Sequence, residues 1–166
     1  MPVSEQNLRA QFRRFHLSER DFKEADEYLI SAQQRHSLVV RRALLTAATI
    51  AYSRPFTKNE QGDEVWATSK IALKLSKILT DTEHGLHEQL LNIRNKALAH
   101  SEFSLRPHDL RITSEHGYAV SGTHFDIVDE CMDTNTFQVI CRKLASASQS
   151  KKSELSRAIY HLRNAA

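Results

Sequence analysis

The stretch from Phe22 to Pro55, FKEADEYLISAQQRHSLVVRRALLTAATIAYSRP, decides the fold class. Phe22, Ala25, Leu29, Ala32, His36, Val39, Ala43, Ala47 and Ile50 recur along it at steps of three and four residues. That is the period of one face of an α-helix, whereas a half-buried strand alternates every second residue. The stripe keeps its phase through Arg35 and His36, so it predicts one long helix or two nearly collinear ones. Ser18 followed by Asp21 matches a helix start with acids gathered in the first turns. Pro55 sets the end, because the residue before a proline is driven out of the helical region.

Outward from that stretch the helical pattern continues. Ser4 to Phe15 reads as a separate short basic helix with Leu8, Phe12 and Phe15 on one face. Phe56 to Asp63 is a polar loop. Val65 to Leu79 predicts a second long helix with Trp66, Leu73 and Ile78 in the core. Lys70, Lys74 and Lys77 form a basic stripe beside that face, whose ordinary meaning is a solvated surface and whose functional one is phosphate tracking. Thr80-Asp81-Thr82-Glu83 supplies caps and acids for a further helix, with Leu86, Leu90, Ile93 and Ala97 inward and an end near His100 or Ser101.

Residues 105–127 differ. Pro107, Gly117 and Gly122 interrupt them, and short alternating runs surround Leu110–Ile112 and Tyr118–Val120. They read as a loop or small β-hairpin turning near Glu115-His116-Gly117. A final helix is expected from Thr134 to His161, with Phe137, Ile140, Cys141, Leu144, Ala147, Leu155, Ile159 and Leu162 on its apolar face and a polar middle from Ser146 to Ser153. The expectation is an all-α fold: a bundle of about five helices in one domain over residues 1–166, with an irregular or hairpin insertion at about 105–127.

The bulk numbers agree. A chain of 166 residues, 40% hydrophobic and 26% charged, suits one soluble domain with a sizeable core. Four Gly and three Pro leave long helices uninterrupted. The net charge of +3 is a mild basic excess that does not by itself require a nucleic-acid partner. Cys131 and Cys141 would lie about 15 Å apart on a straight helix, too far for a disulfide, and point to reduced thiols. Met1 to His16 lacks the apolar core of a signal peptide. Ala43 to Tyr52 is too short and too polar to span a bilayer. The expected location is cytoplasmic, with no membrane partner.

The chemistry concentrates between Leu90 and Glu102, Leu-Leu-Asn-Ile-Arg-Asn-Lys-Ala-Leu-Ala-His-Ser-Glu. Arg94 is always charged and its planar fork fits phosphate oxygens. His100 has a side chain that titrates near neutrality and can move a proton. Asn95 can hydrogen-bond a phosphate or orient an imidazole. RNA cleavage without a metal needs just such a set, because the ribose 2′-hydroxyl is the nucleophile and the crowded phosphate needs a cation. On one straight helix, Arg94 and His100 would sit about 120° apart in rotation and roughly 9 Å apart in rise. They would not touch unless the helix ended before His100 or a second copy completed the site.

This stretch resembles the HEPN signature, an Arg followed by a polar residue and then a His at a helix end. A second phrase, AATIAYSRPF from Ala47 to Phe56, looks like a helix end of bacterial HEPN-like proteins near phage-defence and toxin–antitoxin systems. The resemblance implies a HEPN-like helical bundle and a metal-independent endoribonuclease that works on RNA as a homodimer. It also implies a shared cleft, no cofactor, and a cognate antitoxin protein as a partner. It assigns catalysis to Arg94, Asn95 and His100. His87, seven residues before Arg94 and so on nearly the same helix face, is expected as a substrate contact, together with Lys96, Lys70 and Lys74. The family also contains inactive members, so the alternative is a non-catalytic HEPN dimer that binds a protein or a nucleotide. A DNA reader ranks last, since no helix-turn-helix with a basic second helix stands out.

The remaining candidates are weaker. His84 and His87 stand three residues apart and could in principle share a metal, yet no protease-type His-Glu-x-x-His pattern exists, so the expectation is no metal site. Arg54 reads as a cation closing the negative end of its helix.

Overall fold

The computed structural model describes residues 5–34, 37–57, 71–95, 108–114, 117–122, 126–130 and 133–164. The elements are α1 (Glu5–Ala32), α2 (Leu38–Ser53), α3 (Asp81–Ile93), a hairpin of β1 (His108–Ser114) and β2 (Gly117–Gly122), the single turn α4 (Ile127–Glu130), and α5 (Thr134–Asn164). The fold is all-α in its core, with the hairpin as an appendage.

α1 corrects the first expectation. No break occurs at Ser18; one helix runs from Glu5 to Ala32. The Ser18 hydroxyl donates to the Arg14 carbonyl one turn back at 2.8 Å, so it continues the helix instead of capping a new one.

The second correction concerns the long stripe. α1 and α2 are not collinear. Gln33 and Gln34 close the end of α1 through backbone bonds to Leu29, Ile30 and Ser31. Ser37, with φ −60° and ψ 153°, accepts from the Val40 amide and restarts the chain as α2. α2 then folds back along α1, so that Arg54 reaches Asp21 and Glu24, and Arg14 donates to the Pro55 carbonyl at 2.7 Å. The reversal has a simple cause. A straight continuation would leave both apolar stripes in water, whereas folding back buries Leu45, Ala48 and Tyr52 together with Phe22, Ala25 and Leu29. His36, placed on the stripe, lies outside the described residues.

α5 covers the same pair. Its direction is fixed by a ladder of side-chain bonds to α1: Glu5 with Arg163, Glu19 with Lys152, Asp26 with Arg142, and Gln33 with Asn135. One partner climbs in number as the other falls, so the two helices are antiparallel over almost their whole length. Asp133 caps α5 by accepting from the Thr136 amide at 2.8 Å. The helix runs unbroken through its polar middle, where Ser148 is fully buried.

The segment before α3 gives the third correction. Of the helix expected from Val65 to Leu79, the described part is not α-helical. Residues 71–74 carry no regular structure and Leu75–Lys77 form one 3-10 turn. The Ile71 amide donates to the Pro55 carbonyl at 2.9 Å, which takes it out of any helical ladder, and Thr80 starts the next helix instead. Ile71 and Leu79 still bury their side chains. Trp66 and Lys70 lie outside the described residues.

One contiguous core joins these elements, with Phe22, Leu29, Leu45, Tyr52, Leu90 and Phe137 among its fully buried members. The hairpin pairs Leu110 with Val120 and Ile112 with Tyr118, with an irregularity before Ser114. Among the described residues no helix is long and apolar enough to cross a membrane. Cys141 is buried and burial pushes its thiol pKa far up, which keeps it protonated and unreactive. Cys131 lies outside the described residues.

Candidate functional site

The site is built on α3. Thr80 stands at its N-cap with a side chain that accepts from the Glu83 amide, and Glu83 returns a bond to the Thr80 amide at 2.8 Å. This reciprocal pair is a capping box, formed where the sequence offers caps and acids for a new helix. Glu83 has a second task. Lys143 of α5 binds both of its carboxylate oxygens, at 2.7 and 2.8 Å. The Lys143 ammonium, and after it the Thr80 amide, hold the Glu83 carboxyl below its usual range. The start of α3 is thereby fixed to its own cap and to α5 at once.

One turn further on, His87 is only 2% exposed. Its Nδ1 shares a 2.7 Å hydrogen bond with the Tyr52 hydroxyl of α2. Phe56 meets the imidazole edge-on at 4.6 Å, and Tyr52 in turn packs against Phe22, Phe56 and Phe137. Burial lowers the His87 pKa, the nearby His84 lowers it further, and Glu88 opposes both. Burial likewise drives the Tyr52 pKa well up. Both rings are therefore neutral near pH 7, and each satisfies the other's buried polar atom. His87 is thus an interior residue of this chain and not part of an open surface. His84 lies 5.8 Å from it, ring to ring, and is half-buried.

Leu90 and Ile93 bury the inward face of α3. Arg94 then continues the chain with helical angles, φ −57° and ψ −48°, and donates its amide to Leu90 and Leu91 carbonyls. Arg94 and Asn95 form a wider, π-type turn at this point. The Arg94 side chain is half-buried and Asn95 is exposed. Arg94 Nη1 donates to Asn95 Oδ1 at 2.9 Å. That bond engages one of the five guanidinium donors.

Of the residues singled out in the sequence, the structure brings Arg94 and Asn95 into direct contact. His87 shares their helix but points into the core. Lys74 is exposed, outside any helix, so it does not form a helical stripe with Lys77. Lys96, His100 and Lys70 lie outside the described residues.

Two couplings escaped the sequence reading: Tyr52 with His87, and Glu83 with Lys143. A trace of the first was present. His87 falls between Glu83 and Leu90 at steps of four and three residues, which puts it on the buried side of α3. No protein-family model matches this chain, and no curated protein or solved structure matches it significantly.

Proposed function

We propose that this chain is a HEPN-type, metal-independent endoribonuclease that acts on RNA as a homodimer, in the role of a toxin or phage-defence effector. The observation that supports this best is the Arg94–Asn95 pair. A guanidinium oriented by its neighbour, half out of solvent, at the end of a helix locked to the core, is the arrangement a phosphate-stabilising arginine requires. The HEPN-like bundle and the shared cleft of two protomers belong to the same reading.

The chemistry follows from the residues. The ribose 2′-hydroxyl attacks the neighbouring phosphorus, and the bond from phosphorus to the 5′-oxygen breaks. The products are a 2′,3′-cyclic phosphate and a 5′-hydroxyl. Arg94 neutralises the charge that grows on the equatorial oxygens, and Asn95 holds its plane. His100 carries the proton between the attacking and the leaving oxygen.

The test is cleavage of a labelled RNA in excess EDTA by folded wild type, His100→Ala and Arg94→Lys. The expected result is a cyclic-phosphate product and a loss of about 10²–10⁴-fold for His100→Ala. Arg94→Lys keeps the charge but loses the planar fork, so it too should fall. Equal rates for wild type and His100→Ala would remove the assignment. No cleavage by wild type would favour the non-catalytic binding module.

A further inference from the structure

α2 is apolar on two faces, and the core takes only one of them. Leu45, Ala48, Thr49 and Tyr52 are buried. The stripe of Val39, Ala43, Ala47 and Ile50, which in the sequence continues that of α1, is not the buried one. Val39 is 70% exposed, Val40 42% and Ile50 39%; Ala43 is exposed, and Thr46 and Ala47 are half-buried. At 100° per residue these six fall within an arc of about 120° opposite the core face and extend roughly 16 Å along the helix. The arc holds no charged residue. The outward face of α1, by contrast, carries Arg13, Arg20 and Glu27, all exposed. A helix that is apolar all round is ordinarily covered on every side.

The spacing states what kind of cover fits. Val40, Ala43, Ala47 and Ile50 follow one another at steps of three, four and three residues. That is the seam spacing of a coiled coil, so the complement is another helix. The seam is also symmetric about position 45, with an alanine on each side of the centre and a β-branched residue beyond each alanine. Laid antiparallel on itself, it sets Val40 against Ile50 of a second copy and Ala43 against Ala47 of that copy. The small pairs let the two helices approach closely, and the large pairs close the ends. Each residue type thus meets its own complement, which is the condition for an isologous contact.

Charge agrees with a second copy. The bases nearest the seam are already held inside the chain: Asp126 binds Arg42, and Asp21 and Glu24 bind Arg54. Arg41 lies about 100° outside the arc. Two identical faces can therefore meet without like-charge repulsion.

We propose that the outer face of α2 is a self-association surface, on which a second copy of this chain seats its own α2 antiparallel about a two-fold axis beside Leu45. Three turns of helix bury less area than a tight dimer needs, so the association is reversible and concentration-dependent. The inference goes beyond the function proposed above by naming the surface between the copies, and it stands whether or not the chain cuts RNA.

The experiment reads mass and proximity, not cleavage. Sedimentation velocity over a concentration series compares wild type with Ala43→Glu, which puts a charge into the seam, and with Ser156→Glu, which puts the same charge at an exposed position of α5. Wild type and Ser156→Glu should shift from monomer to dimer as concentration rises, and Ala43→Glu should associate at least about tenfold more weakly. Separately, Val40→Cys and Ile50→Cys chains are mixed under mild oxidation. Antiparallel seating places the two introduced thiols opposite each other, whereas in either variant alone they stand about 15 Å apart along the axis, beyond disulfide reach. A bridged dimer should form in the mixture and not in the single variants, with oxidised wild type as the measure of what Cys131 and Cys141 contribute. Thermal melts check that the variants fold, and the bridging test does not depend on Ala43→Glu. Wild type that stays monomeric throughout would overturn the proposal, as would wild-type association by folded Ala43→Glu, or bridging no stronger in the mixture than in the single variants.

Discussion

The two ends of α3 are built in opposite ways. At its start the key polar groups are tied down: Thr80 and Glu83 cap each other, Lys143 clamps Glu83, and His87 is sealed under Tyr52 and Phe56. At its end, among the described residues, Arg94 donates to Asn95, with Arg94 half-buried and Asn95 exposed. A helix transmits position along its axis, so fixing the first two turns also fixes where the last one points. The contrast teaches that precision at a surface arginine can be bought far from it, in groups that never meet a ligand.

The comparison can be broken most forcefully at His87. His87→Ala opens a cavity and strands the Tyr52 hydroxyl, and should cost about 3 kcal/mol in urea unfolding. A loss near zero would show that the anchored end is not anchored there. The same residue sets a pH dependence. Its folded pKa is depressed, so the unfolded chain takes up a proton that the folded chain refuses. The stabilisation is fully present above about pH 6.5 and declines as pH falls below that value towards the folded-state pKa. Comparing wild type with His87→Ala across this window should show a steeper acid loss in wild type.

Smaller effects sharpen the contrast. Thr80→Ala removes half of the capping box and should destabilise by about 1 kcal/mol, measured the same way. Gly85, between cap and His87, has open space where a Cβ would go. Gly85→Ala should therefore stabilise by about 0.5–1 kcal/mol, seen as a rise in Tm of roughly 1–4 °C. A fall would mean that the turn between the two anchors depends on glycine for a reason other than space.

Much of the fold was legible because the relevant signals are local. The helix start at Thr80–Glu83, the start of α5 at Thr134 and the interruption around Gly117 all lie within a few residues of what they control. The failures have equally definite causes. A helical stripe reports phase and not direction, so the reversal between Ala32 and Leu38 was invisible to it. Serine both caps helices and bonds backwards within them, and Ser18 does the second. The segment from Ile71 to Leu79 has helical spacing but loses its first amide to Pro55, a partner distant in sequence. The candidate site divides in the same way. Arg94 and Asn95 declare themselves by type and adjacency, whereas His87 needed Tyr52, thirty-five residues away in sequence, to show its place.

The antiparallel match of α1 with α5 also governs timing during synthesis. Phe22 and Leu29 leave the ribosome early, yet Ile140 and Leu144, which help to cover them, follow roughly 120 residues later, or about 6–25 s at ordinary elongation rates. For that interval the nascent chain holds a sticky helical hairpin with one side open. Slow codons or a truncated message would lengthen the exposure, so the yield of folded protein should depend on how quickly translation reaches α5, and on whether a chaperone is waiting meanwhile.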